Sequence, residues 1–165
     1  MQSCKGDKTD EPNPGPDSEP TVEYDVDTVS SICEGIYVGD AYLSNDEVYT
    51  YYLSISDLPV LDGGYTDSEG TYYILRLNTP FEEQIANGTY TLTEETNKYT
   101  EYTFLGGEFS YIVYKNQQYF IKEGTMTVTN AETKPRIEIE MTTTEGSTFH
   151  TVYEGIYPYY NKSIE

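Results

Sequence analysis

Two glutamates are the residues of this 165-residue chain whose spacing best suits acid–base chemistry. Glu138 and Glu140 alternate onto one side of a predicted strand, which separates them by about 7 Å. Carboxyl groups about 6.5–9.5 Å apart serve inverting glycoside hydrolysis. Arg136 shares that side, however, the opposite side is apolar, and the chain has no Trp to stack a sugar. An ordinary solvent-facing strand therefore explains the pair better.

Nucleophilic and redox chemistry find little support in the sequence. No G-x-S-x-G motif occurs, and His150, the single histidine, would have to fill every base role, so we expect it to be structural or solvent-facing. Cys33 belongs to no CxxC or Cys/His cluster, which is typical of a buried, inert thiol. We predict that the protein is not an enzyme and holds no cofactor.

A glycine-containing acidic loop is the best metal candidate. Asp62, Asp67 and Glu69 place three carboxylates on the segment 62–70, and hard cations such as Ca²⁺ prefer such oxygen ligands. The spacing differs from that of the EF-hand loop. A plain hairpin loop is the alternative, and calcium stays a weak candidate.

Tyrosine is the most unusual resource of the chain, with 19 copies and three doublets. In a strand, a doublet puts one ring on each side of the sheet, so one ring fills the core and the other is exposed. Four tyrosines are therefore candidates for contacting a glycan or a protein ligand: Tyr52, Tyr72, Tyr159 and Tyr160. Cross-strand tyrosine pairs that only stabilise the sheet are the alternative.

These residues lie in a pattern of short strands. Apolar and polar residues alternate in 48–56, 71–78 and 136–142, which predicts half-buried strands with one solvent-facing side. Further strands are predicted at 36–43, 88–93, 100–105, 108–114, 118–122, 124–130 and 148–157. About ten short antiparallel strands indicate a single all-β domain over 21–165, either a β-sandwich or a lipocalin-like barrel.

Two local features refine this fold. Thr79-Pro80-Phe81-Glu82 carries a capping box, which predicts one helical turn over 80–86 and no other helix. The tetrapeptide EGIY occurs at 34–37 and again at 154–157, near the two ends of the domain. Pairing of the first and last strands would close the sheet into a barrel, and a chance repeat is the alternative.

The charge excludes several functions. With 29 acidic against 9 basic residues, the net charge of −20 repels nucleic-acid phosphates and anionic membrane surfaces. No apolar run approaches the roughly 20 residues of a spanning helix. Residues 1–70 carry −14 and residues 71–165 carry −6, so the first half offers a surface for a cation or a basic partner. A solvated acidic face is the alternative.

Residues 1–20 differ from the rest, with four prolines and no large apolar residue beyond Met1, which is typical of a disordered, semi-extended tether. The small residue before Cys4 and the polar spacer after it resemble the mature start of a bacterial lipoprotein. The resemblance implies that Cys4 is acylated, that the protein reaches the membrane through this lipid anchor, and that a signal peptide precedes it in the precursor.

The strand-and-turn segments GTYYILRLN (70–78), NGTYTL (87–92) and EGTMTVT (123–129) and the closing VYEGIY resemble the small all-β lipoproteins common in Bacteroidetes. Many of those are lipocalin-like or sandwich-like and have no assigned activity. The resemblance implies an outer-membrane lipoprotein, on either the periplasmic or the surface face. We expect a non-catalytic cell-envelope module that binds a glycan or an envelope protein. The alternative is a structural or adhesin-type subunit that assembles through an edge strand.

Overall fold

The computed structural model describes residues 23–40, 48–81, 83–95 and 100–161, so the predicted tether and Cys4 lie outside the described residues. Within these ranges, eleven strands form one sheet: β1 Val26–Ser30, β2 Ile32–Asp40, β3 Tyr49–Ser56, β4 Thr71–Thr79, β5 Gly88–Thr93, β6 Thr103–Leu105, β7 Tyr111–Tyr114, β8 Gln117–Thr129, β9 Arg136–Thr143, β10 Thr148–Glu154 and β11 Tyr159–Asn161. The predicted all-β class is confirmed.

The two ends of the domain close this sheet into a barrel. Only Ser31 separates β1 from β2, which form one run of the chain, and β10 and β11, separated by residues 155–158, form the second. The two runs pair in parallel, with Val26 opposite Phe149 at one end and Tyr37 opposite Asn161 at the other. Of the two architectures that the sequence left open, sandwich and barrel, the structure has the closed barrel.

The long strands β4 and β8 organise the rest of the barrel. β3 pairs with one side of β4, and β9 pairs with one side of β8. Between their other sides lie β7 and the parallel pair β5–β6. β8 joins the predicted strands 118–122 and 124–130, because a bulge between Ile121 and Glu123 lets the chain continue without a turn.

The predicted helical turn at 80–86 is wrong for the described residues of that segment, which are not helical. Thr79, the expected N-cap, is the last residue of β4 and is buried. Its Oγ1 accepts a hydrogen bond from the Ala86 N–H (3.1 Å) and shares one with the Tyr90 hydroxyl (3.0 Å). This hydroxyl therefore fixes a loop instead of capping a helix.

Two three-residue 3₁₀ turns, Asp62–Gly64 and Gly107–Phe109, are the helical elements of the described ranges. Within those ranges, no helix has the length and apolar composition that crossing a membrane requires. Strands β1 and β11 were not predicted, because runs of five and three residues are too short to show a clear alternation.

Aromatic side chains fill the barrel. The largest fully buried side chains of its interior include Tyr51, Tyr73, Tyr90, Phe104 and Phe149. The Phe149 ring meets those of Tyr73 and Tyr114 edge to face, with centroids 6.4 and 5.6 Å apart. Such pairs contribute about 0.5–1.5 kcal/mol beyond the burial of their area. Because these rings occupy the interior, the outer surface is where a ligand has room.

Candidate functional site

The strands β8, β9, β10 and β1 present a polar outer face over the apolar core. Alternation and cross-strand pairing place Glu138 and Glu140 of β9, His150 of β10 and Asp27 of β1 on this side, with Glu123 of β8 at its border. We call these five residues and their surface the acidic face. The predicted placement of Glu138 and Glu140 on one side of a strand is confirmed.

His150 lies between two carboxylates of this face. Its Nδ1 is 2.8 Å from Oδ1 of Asp27, and its Nε2 is 2.8 Å from Oε2 of Glu138. A carboxylate only accepts hydrogen bonds, so both contacts are complete only when both ring nitrogens carry a proton. His150 is thus held as a structural group, one of the two roles that the sequence predicts for it.

The pKa values follow from this arrangement. Burial opposes the charged form of His150, but the hydrogen bonds to Asp27 and Glu138 outweigh it, so the pKa of His150 is raised. The pKa of Glu138 is lowered, chiefly by the hydrogen bond from His150, and a further bond from Arg136 (3.3 Å) lowers it too. The site therefore stabilises an imidazolium between two carboxylates.

Tyr24 covers His150 and is fixed at two points. Its ring stacks on the imidazole with centroids 4.6 Å apart and planes 11° from parallel. Its hydroxyl donates to Oε1 of Glu140 (2.6 Å), and this bond is the main reason that the pKa of Tyr24 is raised to about 12. Next to it, Asp25 and Thr148 exchange hydrogen bonds of 2.9 Å, which fix the backbone that enters β1.

A depression of about 360 Å³ opens beside Tyr24. It is lined by Tyr24, Glu123, Gly124, Thr125, Glu140, Met141, Thr142 and Thr148. The bulge in β8 builds one side of it. Gly124 has φ +149° there, and a Cβ at this position would collide with the backbone of Glu140 and Met141. The depression thus depends on a glycine and offers one ring, two carboxylates and three threonine hydroxyls.

Tyr72, one of the four predicted ligand-contacting tyrosines, is buried, with only 1% of its surface exposed. The prediction that its ring is exposed is therefore wrong. The loop 57–70 folds over it on the outside of the barrel. Its hydroxyl donates to the Pro59 carbonyl (2.9 Å) and accepts a hydrogen bond from the Asp67 N–H (3.0 Å). Alternation places the ring on the outer side of β4, but the loop covers that side.

Tyr52 and Tyr160 lie in one cross-strand row on a second outer face. Ile36 of β2 pairs with Tyr160 of β11 and with Tyr52 of β3, and Tyr52 pairs with Arg76 of β4. The Arg76 guanidinium lies 5.9 Å from the centre of the Tyr52 ring and 5.1 Å from that of Phe109. We call Tyr160, Ile36, Tyr52 and Arg76 the aromatic row.

Tyr159 and Cys33 are structural residues. The Tyr159 ring is partly exposed but packs against the rings of Tyr51 and Tyr157, with centroids 5.6 and 5.0 Å apart. Gly35 makes room for it, since a Cβ there would lie 2.8 Å from the Tyr159 ring. Cys33 is a buried free thiol, as predicted, and its burial raises the pKa of the thiol.

The three predicted calcium ligands do not converge. Asp62 lies in an exposed 3₁₀ turn, whereas Oδ1 of Asp67 accepts a hydrogen bond from the Glu69 N–H (2.8 Å). In the part of the chain that the structure describes, no three carboxylate, imidazole or thiol groups lie close enough to share a metal ion. The calcium candidate therefore has no supporting geometry.

The sequence did not predict Tyr24, Asp27 or Glu123 as members of a site. Asp27 lies 123 positions from His150, and only the parallel pairing of β1 with β10 brings them together.

Comparisons of the chain with protein-family models, with curated proteins and with solved structures find no match. What the site can do therefore follows from its own geometry.

Proposed function

We propose that this chain is the ligand-binding domain of an outer-membrane lipoprotein, and that it binds a glycan, neutral or amine-bearing, at the depression beside Tyr24 without catalysing a reaction. The observation that carries the proposal is the position of the Tyr24 ring at the rim of the depression. The ring is held there by stacking on His150 and by the hydrogen bond of its hydroxyl to Glu140. A ring that is already ordered loses little conformational freedom when a ligand binds, which favours affinity.

The lining of the depression suits a hydroxylated ligand. The carboxylates of Glu123 and Glu140 accept hydrogen bonds from hydroxyl or ammonium groups, and the hydroxyls of Thr125 and Thr142 both donate and accept. The Tyr24 ring offers apolar area of the kind that packs against the C–H groups of a sugar. With a net charge of −20, the protein disfavours an anionic ligand.

The contacts of the two glutamates support binding rather than catalysis. Glu138 is engaged by His150 and Arg136, and Glu140 is engaged by Tyr24. A glycosidase needs one carboxyl group free to donate a proton and a second free to activate water. The strands at the two ends of the sheet, β1 and β11, are only five and three residues long, so they offer short edges, which gives assembly through an edge strand less support.

The lipid anchor rests on the resemblance around Cys4. The segment 1–20 leads toward β1, whose entry is held to β10 by Asp25 and Thr148. An anchor at Cys4 would therefore hold the barrel by the strand that borders the acidic face. Mass spectrometry of the membrane fraction from cells that express the full precursor tests this part. We expect an acylated Cys4, and an unmodified Cys4 ends the lipoprotein claim.

A glycan array probed with the full chain tests the ligand, with Tyr24→Ala as the site variant and Tyr52→Ala as its matched control. Both tyrosines are half-buried and lie on outer faces of the barrel. We expect binding to neutral or amino sugars, and a loss of about fivefold or more in Tyr24→Ala alone. Equal losses in the two variants would move the site away from the depression. The binding function would be overturned if the array showed no bound glycan and a pull-down with the full chain captured no envelope protein.

A further inference from the structure

We propose that protonation of His150 controls the closure of this depression. The protonated ring holds β1 and Tyr24 against β9, and loss of its proton loosens the wall that Tyr24 forms. Ligand binding is then stronger below the His150 pKa than above it. The statement about ligand binding rests on the proposed function, whereas the statement about Tyr24 and β1 stands on the contacts of the site alone.

The two contacts of the imidazole carry this inference. A neutral ring keeps one N–H and turns a lone pair toward the other carboxylate oxygen, 2.8 Å away. Two lone pairs at this distance repel each other, so one contact must open or admit a water molecule. The arrangement is therefore complete in one protonation state and strained in the other.

The charges around His150 reinforce this dependence. The segment that enters β1 contributes Tyr24 and Asp25, β1 contributes Asp27, and β9 contributes Arg136, Glu138 and Glu140. The carboxylates outnumber the single guanidinium, and this surplus of negative charge favours the imidazolium. Tyr24 has a pKa raised to about 12, so its hydroxyl stays protonated while His150 titrates.

The contact with Asp27 is the one expected to open. The Asp27 side chain is 56% exposed and that of Glu138 is 32% exposed, so water replaces the Asp27 contact more readily. Glu138 also stays oriented by Arg136, 3.3 Å away. Opening breaks the Asp27–His150 link between β1 and β10, and loss of the proton removes the charge from the ring on which Tyr24 stacks.

The rest of the β1 attachment does not depend on this proton. The backbone pairing of β1 with β10 continues from Val26 to Ser30, and the Ser30 and Thr151 hydroxyls share a buried hydrogen bond. The two Asp25–Thr148 hydrogen bonds also persist, so deprotonation is expected to loosen the Tyr24 ring while β1 stays attached and the barrel stays folded. The change is local to the wall of the depression.

His150 is the only histidine, so histidine labelling of the full chain gives a single imidazole signal in NMR spectra. We titrate this signal from about pH 5 to about pH 10, a range that brackets the ordinary histidine pKa, and follow the nuclear Overhauser effects between the His150 and Tyr24 rings. We expect a midpoint above the ordinary 6.5 and a loss of ring–ring contact with the same midpoint. A midpoint at or below 6.5, or ring contacts that persist through deprotonation, would overturn the inference.

Variants separate this inference from the proposed function. Asp27→Asn should lower the midpoint, whereas Asp62→Asn, an exposed acid in the loop 57–70, should leave it unchanged. Toward a glycan identified on the array, we expect affinity to fall about three- to tenfold as the pH rises through the midpoint, and no such fall in His150→Gln. Affinity that does not change with pH would overturn the regulation alone. If the NMR titration gives the expected result but the array yields no ligand, the binding function alone is overturned.

Discussion

The acidic face and the aromatic row each hold one cationic side chain, but in different ways. His150 lies between the carboxylates of Asp27 and Glu138, whereas Arg76 lies over the rings of Tyr52 and Phe109. An imidazole titrates near neutral pH and a guanidinium does not. We therefore expect the contacts of the acidic face to respond to pH and those of the aromatic row not to.

The two faces also differ in how the chain builds them. The aromatic row runs mainly over the consecutive antiparallel strands β2, β3 and β4. The acidic face joins β1 to β10 across 123 positions and depends on a bulge in β8. The acidic face is therefore the more sensitive of the two to changes in backbone geometry.

The largest expected effect comes from Gly124→Ala. Its positive φ and the backbone of Glu140 and Met141 leave no room for a Cβ, so we expect a loss of about 2–4 kcal/mol in the free energy of unfolding, measured by urea denaturation. The control is Gly35→Ala beside the aromatic row, where a Cβ meets the side chains of Tyr159 and Tyr157 but no backbone. A loss in Gly35→Ala as large as in Gly124→Ala would contradict the difference between the faces.

His150→Gln is expected to cost about 1–2 kcal/mol of stability at about pH 6, where the wild type carries a charged, hydrogen-bonded ring. Because folding raises the His150 pKa, its contribution is complete below the unfolded value of about 6.5 and is lost as the pH rises through the folded pKa. The cost should therefore shrink toward about pH 9. Arg76→Met is the control, and its cost should be the same at both pH values, since the guanidinium stays charged.

Tyr72→Phe removes the buried hydroxyl that holds the loop 57–70, on the same outer side of β4 as Arg76. Pro59 and Asp67 would each lose a hydrogen-bond partner, so we expect a loss of about 1 kcal/mol in unfolding free energy. Hydrogen exchange should show faster exchange of the amide of Asp67. A Tyr72→Phe variant with unchanged stability and unchanged exchange would show that the loop does not depend on this hydroxyl.

The smallest expected effect is that of Tyr24→Phe, which removes the hydroxyl bonded to Glu140 but keeps the ring on His150. We expect a loss of about 0.5 kcal/mol, because the bond is exposed to solvent. Tyr52→Phe keeps the ring beneath Arg76 and is the matched control, with a smaller cost. Thermal unfolding of the two variants checks the order, and a larger cost in Tyr52→Phe would reverse the comparison.

Local patterns predicted part of each face: the glutamates of the acidic face, and Tyr52 and Tyr160 of the aromatic row. The two-residue period places Glu138 and Glu140 on one side of a strand, as found. The same period puts the Tyr72 ring on the outer side of β4 but says nothing of the loop that covers it. The predicted turn after Thr79 failed for a related reason, because a tertiary hydrogen bond to the Ala86 N–H uses the hydroxyl that would cap a helix.

By itself, the sequence determined the all-β class, the approximate position of most strands and the strongly acidic charge, because alternation and composition are local properties of the chain. Only the tertiary structure decided that Asp27 meets His150 and that Tyr24 stands at the rim of a depression. Both depend on the parallel pairing of the two ends of the domain. No local period encodes which distant strands pair, since side chains alternate in the same way whichever neighbour a strand has.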